Sequence, residues 1–337
     1  MTDGGSYFSR VDLPFYRRYL QDFLPERLID VHAHVGLMEH VDPALPRPEF
    51  WADRICPAMP VPNLMRIYNK LFPEQSVQPV CFTFPRRNMR LDPANLYTGQ
   101  EARRVGGWSL LVTRPTWTAA EVAQRVAAGG HVGLKPYFYL VEGKPESEIT
   151  ILDCLPHEHL HLANERAWLV MLHIPRPLRL ADPVNLAQIR EICSTYPRVK
   201  LIIAHVGRAY CRRYAEVGLP ALAGCRDLLY DITANCSDEV FELLLRTVEP
   251  QRILFGSDLP IVCMRMKREC EGDNYINYVR RARVLDAHTR RRPEEEDTYT
   301  FFLYEEIAAF RRAAEAAGLS RTDVHDVFYG NARRLLP

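Results

Sequence analysis

Apolar residues fall into eight short runs, separated by longer stretches in which apolar and polar positions alternate with a helical period. Several runs, such as 168–172 and 199–204, are almost continuously apolar. This pattern is typical of strands buried on both faces of a parallel sheet. The eight predicted strands span residues 28–35, 79–84, 108–114, 131–139, 168–174, 199–206, 228–234 and 252–257.

Helix signals lie between the strands. Residues 119–128 follow Thr118, a residue type that caps helix N-termini, and precede Gly129 and Gly130, which can end the helix. Two further stretches share a polar N-cap and a favourable first turn. They are 184–193 after Asp182-Pro183, and 237–245, which opens with Ser237 and two acidic residues.

The alternation of strand and helix predicts a parallel α/β fold, and eight strands predict a closed (β/α)8 TIM barrel. An open doubly wound sheet is the alternative, but no Gly-x-Gly-x-x-Gly follows a predicted strand. We expect residues 1–27 to form an N-terminal extension with a helix around 13–23. Residues 28–337 would form the barrel, with long loops at 37–78 after strand 1 and 259–300 after strand 8.

Composition narrows the class of protein. The chain has 337 residues, 47% of them hydrophobic, and a net charge of +1, which favours neither nucleic acid nor a membrane surface as partner. The N-terminus lacks the features of a secretory signal, and no apolar run could span a bilayer. Nine cysteines without a Cys-x-x-Cys pair argue against a disulfide framework and a zinc finger. We therefore expect a cytoplasmic protein.

Five residues carry the candidate chemistry. His32 and His34 stand two apart in the first strand, so their imidazoles point to the same face. His173, His205 and Asp258 each end a later apolar run. In a barrel all five would meet at the carboxyl ends of the strands, where active sites lie. Imidazoles with a carboxylate suit Zn²⁺ and also accept Mn²⁺, Fe²⁺ or Co²⁺. The alternative for each histidine is a hydrogen-bonded core residue.

Five short fragments of the chain have a specific order and spacing. They are Ile29-Asp-Val-His-Ala-His34, Leu172-His-Ile174, Leu201-Ile-Ile-Ala-His-Val-Gly207, Ile253-Leu-Phe-Gly-Ser-Asp-Leu-Pro260 and Val327-Phe-Tyr-Gly-Asn-Ala-Arg-Arg-Leu-Leu336. By these fragments the chain resembles the amidohydrolase superfamily, and specifically the amidohydrolase-2 group that contains aminocarboxymuconate-semialdehyde decarboxylase. The resemblance runs from Leu28 to the end of the chain.

This resemblance implies that His32, His34, His173 and Asp258 ligate one divalent metal ion, most simply Zn²⁺. It implies that His205 lies near the metal-bound water, polarising substrate or shuttling a proton, although a role as a ligand or as an orienting residue stays open. Asp258 would also act as the base for that water. A homodimer is a further implication of the family.

The leading functional hypothesis is a hydrolase that uses a metal-bound hydroxide on an ester, lactone or amide of a small anionic substrate. The alternative is a metal-dependent non-oxidative decarboxylase of an unsaturated or aromatic carboxylic acid, which would share the same ligands. A third hypothesis is a barrel that binds or assembles without turnover.

Basic and aromatic residues near the predicted strand ends suggest the substrate class. Lys135 ends strand 4; it could bind a substrate anion, be carbamylated to bridge two metals, or be structural. Arginine suits carboxylate recognition, so Arg176 and Arg208 are further candidates for binding a carboxylate-bearing substrate. The alternative is that solvated loops commonly carry arginine. Other basic residues after strands are Arg86, Arg87, Arg114, Arg265, Lys267 and Arg268, and aromatic residues that could line a pocket are Trp51, Tyr275 and Tyr278.

Two other groups of polar residues are interpreted without catalytic chemistry. Asp30 lies one layer deeper than His32 on the same face and is expected to be a buried, hydrogen-bonded acid. His157, His159 and His161 precede strand 5 rather than end a strand, so we interpret them as part of a partly exposed helix.

Overall fold

The computed structural model describes residues 4–45, 53, 55–281 and 287–337. Eight parallel strands overlap the eight predicted runs; the first two strands begin before their runs, and the other six strands are shorter than theirs. They are β1 (Arg27–Val35), β2 (Ser76–Thr83), β3 in two pieces (Trp108–Ser109 and Leu111–Thr113), β4 (Gly133–Pro136), β5 (Leu169–Leu172), β6 (Lys200–Ile203), β7 (Leu229–Asp231) and β8 (Ile253–Leu254).

The strands pair in chain order as two sheets, one from β1 to the first piece of β3 and one from its second piece to β8. Backbone hydrogen bonds link these sheets at both seams. Leu110, between the pieces of β3, donates to the carbonyl of Cys81 at 2.9 Å. His34 of β1 donates to the carbonyl of Leu259, just beyond β8, at 2.8 Å. The architecture is therefore the predicted (β/α)8 barrel.

The helices cover the outside of the barrel, and the predicted capping residues are confirmed. Thr118 accepts from the backbone of Glu121 in a capping box, and Gly130 closes that helix with φ +61°. Asp182 and Ser237 cap two others. The main helices are α1 (Leu13–Tyr19), α2 (Val61–Leu71), α3 (Leu91–Arg104), α4 (Ala119–Gly129), α5 (His157–Arg166), α6 (Pro183–Thr195), α7 (Arg212–Ala221), α8 (Asp238–Thr247) and α9 (Phe302–Ala316).

Besides single 3-10 turns, the chain has six short α- or π-helical segments in its described part. They are Gly4–Tyr7, Phe8–Asp12, Ile151–Cys154, Arg321–His325, Asp326–Gly330 and Asn331–Leu335. The helix expected at 13–23 ends at Tyr19, and residues 20–23 form turns before Pro25. No helix in the described part of the chain is both long and apolar enough to cross a membrane.

The connection after β8 contains strands instead of the expected loop. An antiparallel hairpin consists of β9 (Met266–Glu271) and β10 (Asn274–Val279), and β11 (Thr289–Arg290) pairs with β10. We call residues 266–279 the rim hairpin. Charged residues outnumber apolar ones in β9, so its strand pattern is not visible in the sequence.

A disulfide bond connects the rim hairpin to the barrel. Cys211, at the start of α7, is bonded to Cys270 of β9, and the other seven cysteines are free. The expectation that the chain has no disulfide framework was therefore wrong for this one pair. The two cysteines are 59 residues apart, and only the folding of the hairpin over α7 brings them together.

Candidate metal centre

Three predicted ligands converge at the carboxyl end of β1. His32 and His34 lie on this strand, and Asp258 directly follows β8, with its backbone N–H donating to the carbonyl of His32 at 2.8 Å. Oδ1 of Asp258 lies 3.1 Å from Nε2 of His34 and 3.7 Å from Nε2 of His32. Each of the three residues thus offers one ligand atom within 4.8 Å of the others.

Asp231, at the end of β7, orients His32. Its Oδ2 lies 2.9 Å from Nδ1 of His32, and both side chains are fully buried. A hydrogen bond to this carboxylate places the imidazole proton on Nδ1 and leaves a lone pair on Nε2. In the described chain, Nε2 of His32 is buried and has no hydrogen-bond partner. A metal ligand whose other nitrogen donates to a carboxylate has this arrangement, so the donor set fits a divalent metal ion.

Asp30 is the buried, hydrogen-bonded acid that the sequence predicts. It accepts from the backbone of His32 and Ser257 at 2.9 Å each and from the hydroxyl of Tyr68 at 2.6 Å. Burial raises the pKa of Asp30 to about 6, while the hydrogen bonds from Ser257 and Tyr68 oppose this rise. Asp30 therefore ties the first strand to the segment after the last strand, directly beneath the histidine pair.

The other two histidines lie across the barrel. The ring centroid of His205 is 4.4 Å from that of His32 and 5.0 Å from that of His173. His205 forms a second group of possible ligands with His32 and Asp231, whereas His173 belongs to neither group. Burial lowers the pKa of both residues, that of His205 to about 3. The structure thus brings His173 to the same rim, farther from the cluster than the other predicted ligands.

Lys135, on β4, is fully buried beneath the rim. Its Nζ has no hydrogen-bond partner in the described chain and lies 4.9 Å from the ring centre of Phe82 and 5.0 Å from that of Tyr137. Burial lowers the pKa of Lys135 to about 7, although Asp231 and Asp258 raise it. The ammonium group therefore sits between aromatic rings near two carboxylates.

A cavity of about 130 Å³ lies above this cluster, between the barrel rim and the rim hairpin. Among the described residues, the only acid in its lining is Asp258, and its cations are Arg208 and Arg268. His173 is the only one of the four predicted histidines that reaches it. The remaining lining residues are Tyr139, Tyr210, Ala234, Ile261, Met264, Tyr275, Asn277, Val279, Thr289 and Phe302.

Not every predicted substrate-binding residue reaches the cavity. Arg208 lines it, whereas Nε of Arg176 donates to Asp182 at 2.9 Å, outside the lining, and Lys135 lies below. Tyr275 lines the cavity, but the hydroxyl of Tyr278 donates to Glu271 outside it. Trp51 lies outside the described residues.

Most other basic residues after the strands are also occupied elsewhere. Three of them contact carboxylates: Nε of Arg86 donates to Asp53 at 2.7 Å, Nη2 of Arg265 donates to Asp12 at 2.6 Å, and Lys267 pairs with Glu269 at 3.0 Å. Two others donate to backbone carbonyls, Nη2 of Arg114 to that of Arg87 at 3.2 Å and Nε of Arg87 to that of Tyr139 at 2.9 Å.

The dense histidine cluster lies on α5, as the sequence predicts. His161 is exposed, His157 contacts the hydroxyl of Tyr196 at 2.7 Å, and His159 is buried against the carbonyl of Trp117 at 2.6 Å. These three histidines face neighbours on the outside of the barrel and take no part in the cluster at the rim.

Sequence reasoning did not identify the roles of two charged residues of the site. Asp231 could have been found as a lone acid inside an apolar run, at the same strand-end position as the histidines. Arg268 was noticed only as one of several basic residues, because its position at the cavity depends on the rim hairpin.

Comparison with known proteins gives one family match. The Amidohydro_2 family model, described as amidohydrolase, matches residues 29–337. A comparison with curated proteins found no match.

Solved structures share the fold at low sequence identity. An amidohydrolase from Burkholderia multivorans with bound zinc is 13% identical, with 92% of this chain and 99% of that chain covered and a TM-score of 0.57. A dihydroxybenzoic acid decarboxylase from Polaromonas sp. JS666, with bound manganese and the inhibitor 2-nitroresorcinol, is 12% identical, with coverages of 92% and 97% and a TM-score of 0.55. A 2,6-dihydroxybenzoate decarboxylase from Rhizobium is 13% identical, with coverages of 93% and 98% and a TM-score of 0.54.

Proposed function

Since the chain belongs to the Amidohydro_2 amidohydrolase family and is an enzyme of that metal-dependent family, we propose that it hydrolyses an ester, lactone or amide of a small, carboxylate-bearing substrate. The observation that carries this proposal is the contact of Asp258 with the His32–His34 pair at the base of a cavity that also contains Arg208.

The residues that would hold the metal ion are His32, His34 and Asp258, with His173 completing the set from across the barrel. When bound, the ion would act as a Lewis acid, polarising a substrate oxygen and making water more acidic. Three imidazoles and one carboxylate favour Zn²⁺. Mn²⁺ is the other candidate, because the amidohydrolase from Burkholderia multivorans holds zinc and the decarboxylase from Polaromonas holds manganese.

The protein's own residues would position substrate and move protons. Asp258 is the one carboxylate among the described residues of the cavity lining, so it is the group placed to accept a proton from water there. Asp231 would keep His32 in the tautomer that binds metal. The guanidinium of Arg208 would hold the substrate carboxylate. His205, which is neutral and buried beside His32, would polarise the substrate or relay a proton.

The second candidate function is non-oxidative decarboxylation. Tyr139, Tyr210, Tyr275 and Phe302 give the cavity aromatic walls, which suit an aromatic acid. The structures from Polaromonas and Rhizobium are of dihydroxybenzoate decarboxylases, which supports this alternative through the fold alone. Release of CO₂ from an aromatic acid, without cleavage of any ester, lactone or amide in the same screen, would decide for the decarboxylase.

The test begins with metal content. We expect about one equivalent of divalent metal in protein purified without chelator, and hydrolysis of at least one carboxylate-bearing ester, lactone or amide in a screen. Asp231→Asn should weaken metal retention against a chelator about 10–100-fold, because the substitution removes the carboxylate that orients His32. The matched control is Asp12→Asn, an equally buried acid that contacts Arg265 outside the cavity. Metal-free wild-type protein, or equal retention in both variants, would contradict the proposal.

Two finer expectations remain proposals with their own measurements. The homodimer that the family resemblance implies is tested by the molar mass in solution. A cytoplasmic location is tested by fractionation of the source cells, and the disulfide bears on it, because such bonds persist mainly in oxidising compartments.

A further inference from the structure

We propose that the substrate carries two carboxylate groups, one bound by Arg208 next to the metal centre and the other by Arg268 of the rim hairpin. This inference rests on the proposed function for the position of the reacting group. It adds a second binding group and a specificity-determining residue outside the barrel strands.

The first observation is a set of arginines without acidic partners. Arg179, Arg208 and Arg268, which we call the arginine wall, form no ion pair with any carboxylate in the described part of the chain. Nearby arginines differ: Arg176 pairs with Asp182. Because no carboxylate in the described part of the chain pairs with them, Arg208 and Arg268 leave positive charge facing the cavity, and Arg179 adds positive charge behind its lining.

The second observation is that Arg268 is held in place by neutral groups. Its Nε donates to Oδ1 of Asn277 at 2.8 Å, and its Nη1 donates to the carbonyl of Ala234. Its guanidinium lies 4.5 Å from the ring centre of Tyr210 and 4.6 Å from that of Tyr275. These contacts fix the guanidinium plane without neutralising its charge, so the group is preorganised to bind an anion.

Arg179 adds positive charge to the side of the cavity where Arg268 lies, and it contacts the same two tyrosines. Its guanidinium lies 5.3 Å from the ring centre of Tyr210 and 5.0 Å from that of Tyr275, and its Nη1 is buried without a partner in the described chain. The two tyrosine rings are therefore each contacted by two cations, which attracts a negative charge to this side of the cavity.

Arg208 supplies the other binding position. Its Nη1 donates to the carbonyl of Ile174, next to His173, so its guanidinium is anchored beside the predicted metal ligands. The part of the lining that the structure describes contains one acid, Asp258, which the proposed chemistry uses at the metal centre. A monocarboxylate would leave Arg268 without a partner, whereas a dicarboxylate would pair with both cations. Since the cavity has a volume of about 130 Å³, we expect a small dicarboxylate.

The experiment measures binding of length-matched acids to the metal-free protein by calorimetry. The pairs are succinate and butyrate, glutarate and pentanoate, and isophthalate and benzoate. We expect at least one dicarboxylate to bind ten-fold or more tightly than its monocarboxylate partner. Arg268→Met should reduce this preference to less than three-fold while leaving the Kd of the monocarboxylate almost unchanged, and Arg268→Lys should restore it in part.

The control variant is Lys267→Met. It removes one positive charge from the same strand, but Lys267 points to the opposite face of β9 and pairs with Glu269. It should keep the preference of the wild type. Equal affinity for both members of every pair, no binding of any dicarboxylate, or the same loss in both variants would overturn the inference. Because binding is measured without metal or turnover, a dicarboxylate preference in a protein that hydrolyses nothing would contradict the proposed function alone.

Discussion

At the scale of single residues, the convergence of His32, His34 and Asp258 could be predicted from the sequence. His32 and His34 share a face because they are two apart on a strand, and Asp258 meets them because parallel strands of a barrel end at one rim. The orienting role of Asp231 could not be predicted, because it depends on the distance between β1 and β7, which no local pattern reports.

A second residue-scale property is the acid sensitivity that His131 should confer. Its imidazole is buried between β3 and α4, with Nδ1 2.7 Å from the hydroxyl of Ser109. Burial, together with Arg103, lowers its pKa to about 4. The unfolded chain, with a pKa near 6.5, therefore binds a proton first as the pH falls. His131 should leave stability unaffected above pH 6.5 and reduce it between pH 6.5 and 4.

We expect the wild type to lose about 2 kcal/mol more unfolding free energy than His131→Asn between pH 7.5 and 4.5. Urea denaturation across this pH range measures the unfolding free energy of both proteins. The contributions of the titratable groups that both proteins share cancel in the difference. His161→Asn, which alters an exposed histidine on α5, should give a curve parallel to that of the wild type. A parallel curve for His131→Asn would show that its imidazole does not titrate in this window.

At the scale of elements, strand and helix positions could be predicted, but their extents could not. The strand after residue 131 was expected to reach residue 139, yet β4 ends at Pro136. Proline lacks the N–H that a ladder requires, and residues Phe138–Leu140 form a helical turn instead. The rim hairpin was missed altogether, because four of the six residues of β9 are charged and hide its strand pattern.

The C-terminus of α5 offers a test of backbone strain. Ala167 ends this helix in the left-handed conformation, with φ +52°, where a side chain is unfavourable and glycine is preferred. We expect Ala167→Gly to stabilise the protein by about 0.5–1 kcal/mol. Ala128→Gly, at an exposed position in the last turn of α4, should instead destabilise it by a similar amount. Chemical denaturation compares both variants, and a fall in stability for both would rule out strain at Ala167.

At the scale of the whole molecule, the barrel could be predicted because eight buried strands with intervening helices have few other arrangements. The covalent link across its rim could not, since it depends on tertiary contact between α7 and the rim hairpin. The alternative of an open sheet is excluded by the bonds that connect β1 to the segment after β8.

The disulfide should contribute measurably to global stability. Closing a loop of 59 residues in the unfolded chain corresponds to about 2–4 kcal/mol. We expect reductant to lower the unfolding free energy by this amount in the wild type, and to have no effect on the double variant Cys211→Ser/Cys270→Ser. Thiol titration in denaturant without reductant should find seven free cysteines. Finding nine would show that the bond is absent in the purified protein.

The rim hairpin also has a consequence for how this protein could diversify. It contributes Arg268, Tyr275 and Asn277 to the cavity, yet it contains none of the residues that contact the proposed metal position. Its anchor to the barrel is covalent and independent of the side chains that face the cavity. Exchange of residues 266–279 as one unit, with Cys270 retained, should therefore change ligand selectivity while the residues at the proposed metal position stay unchanged.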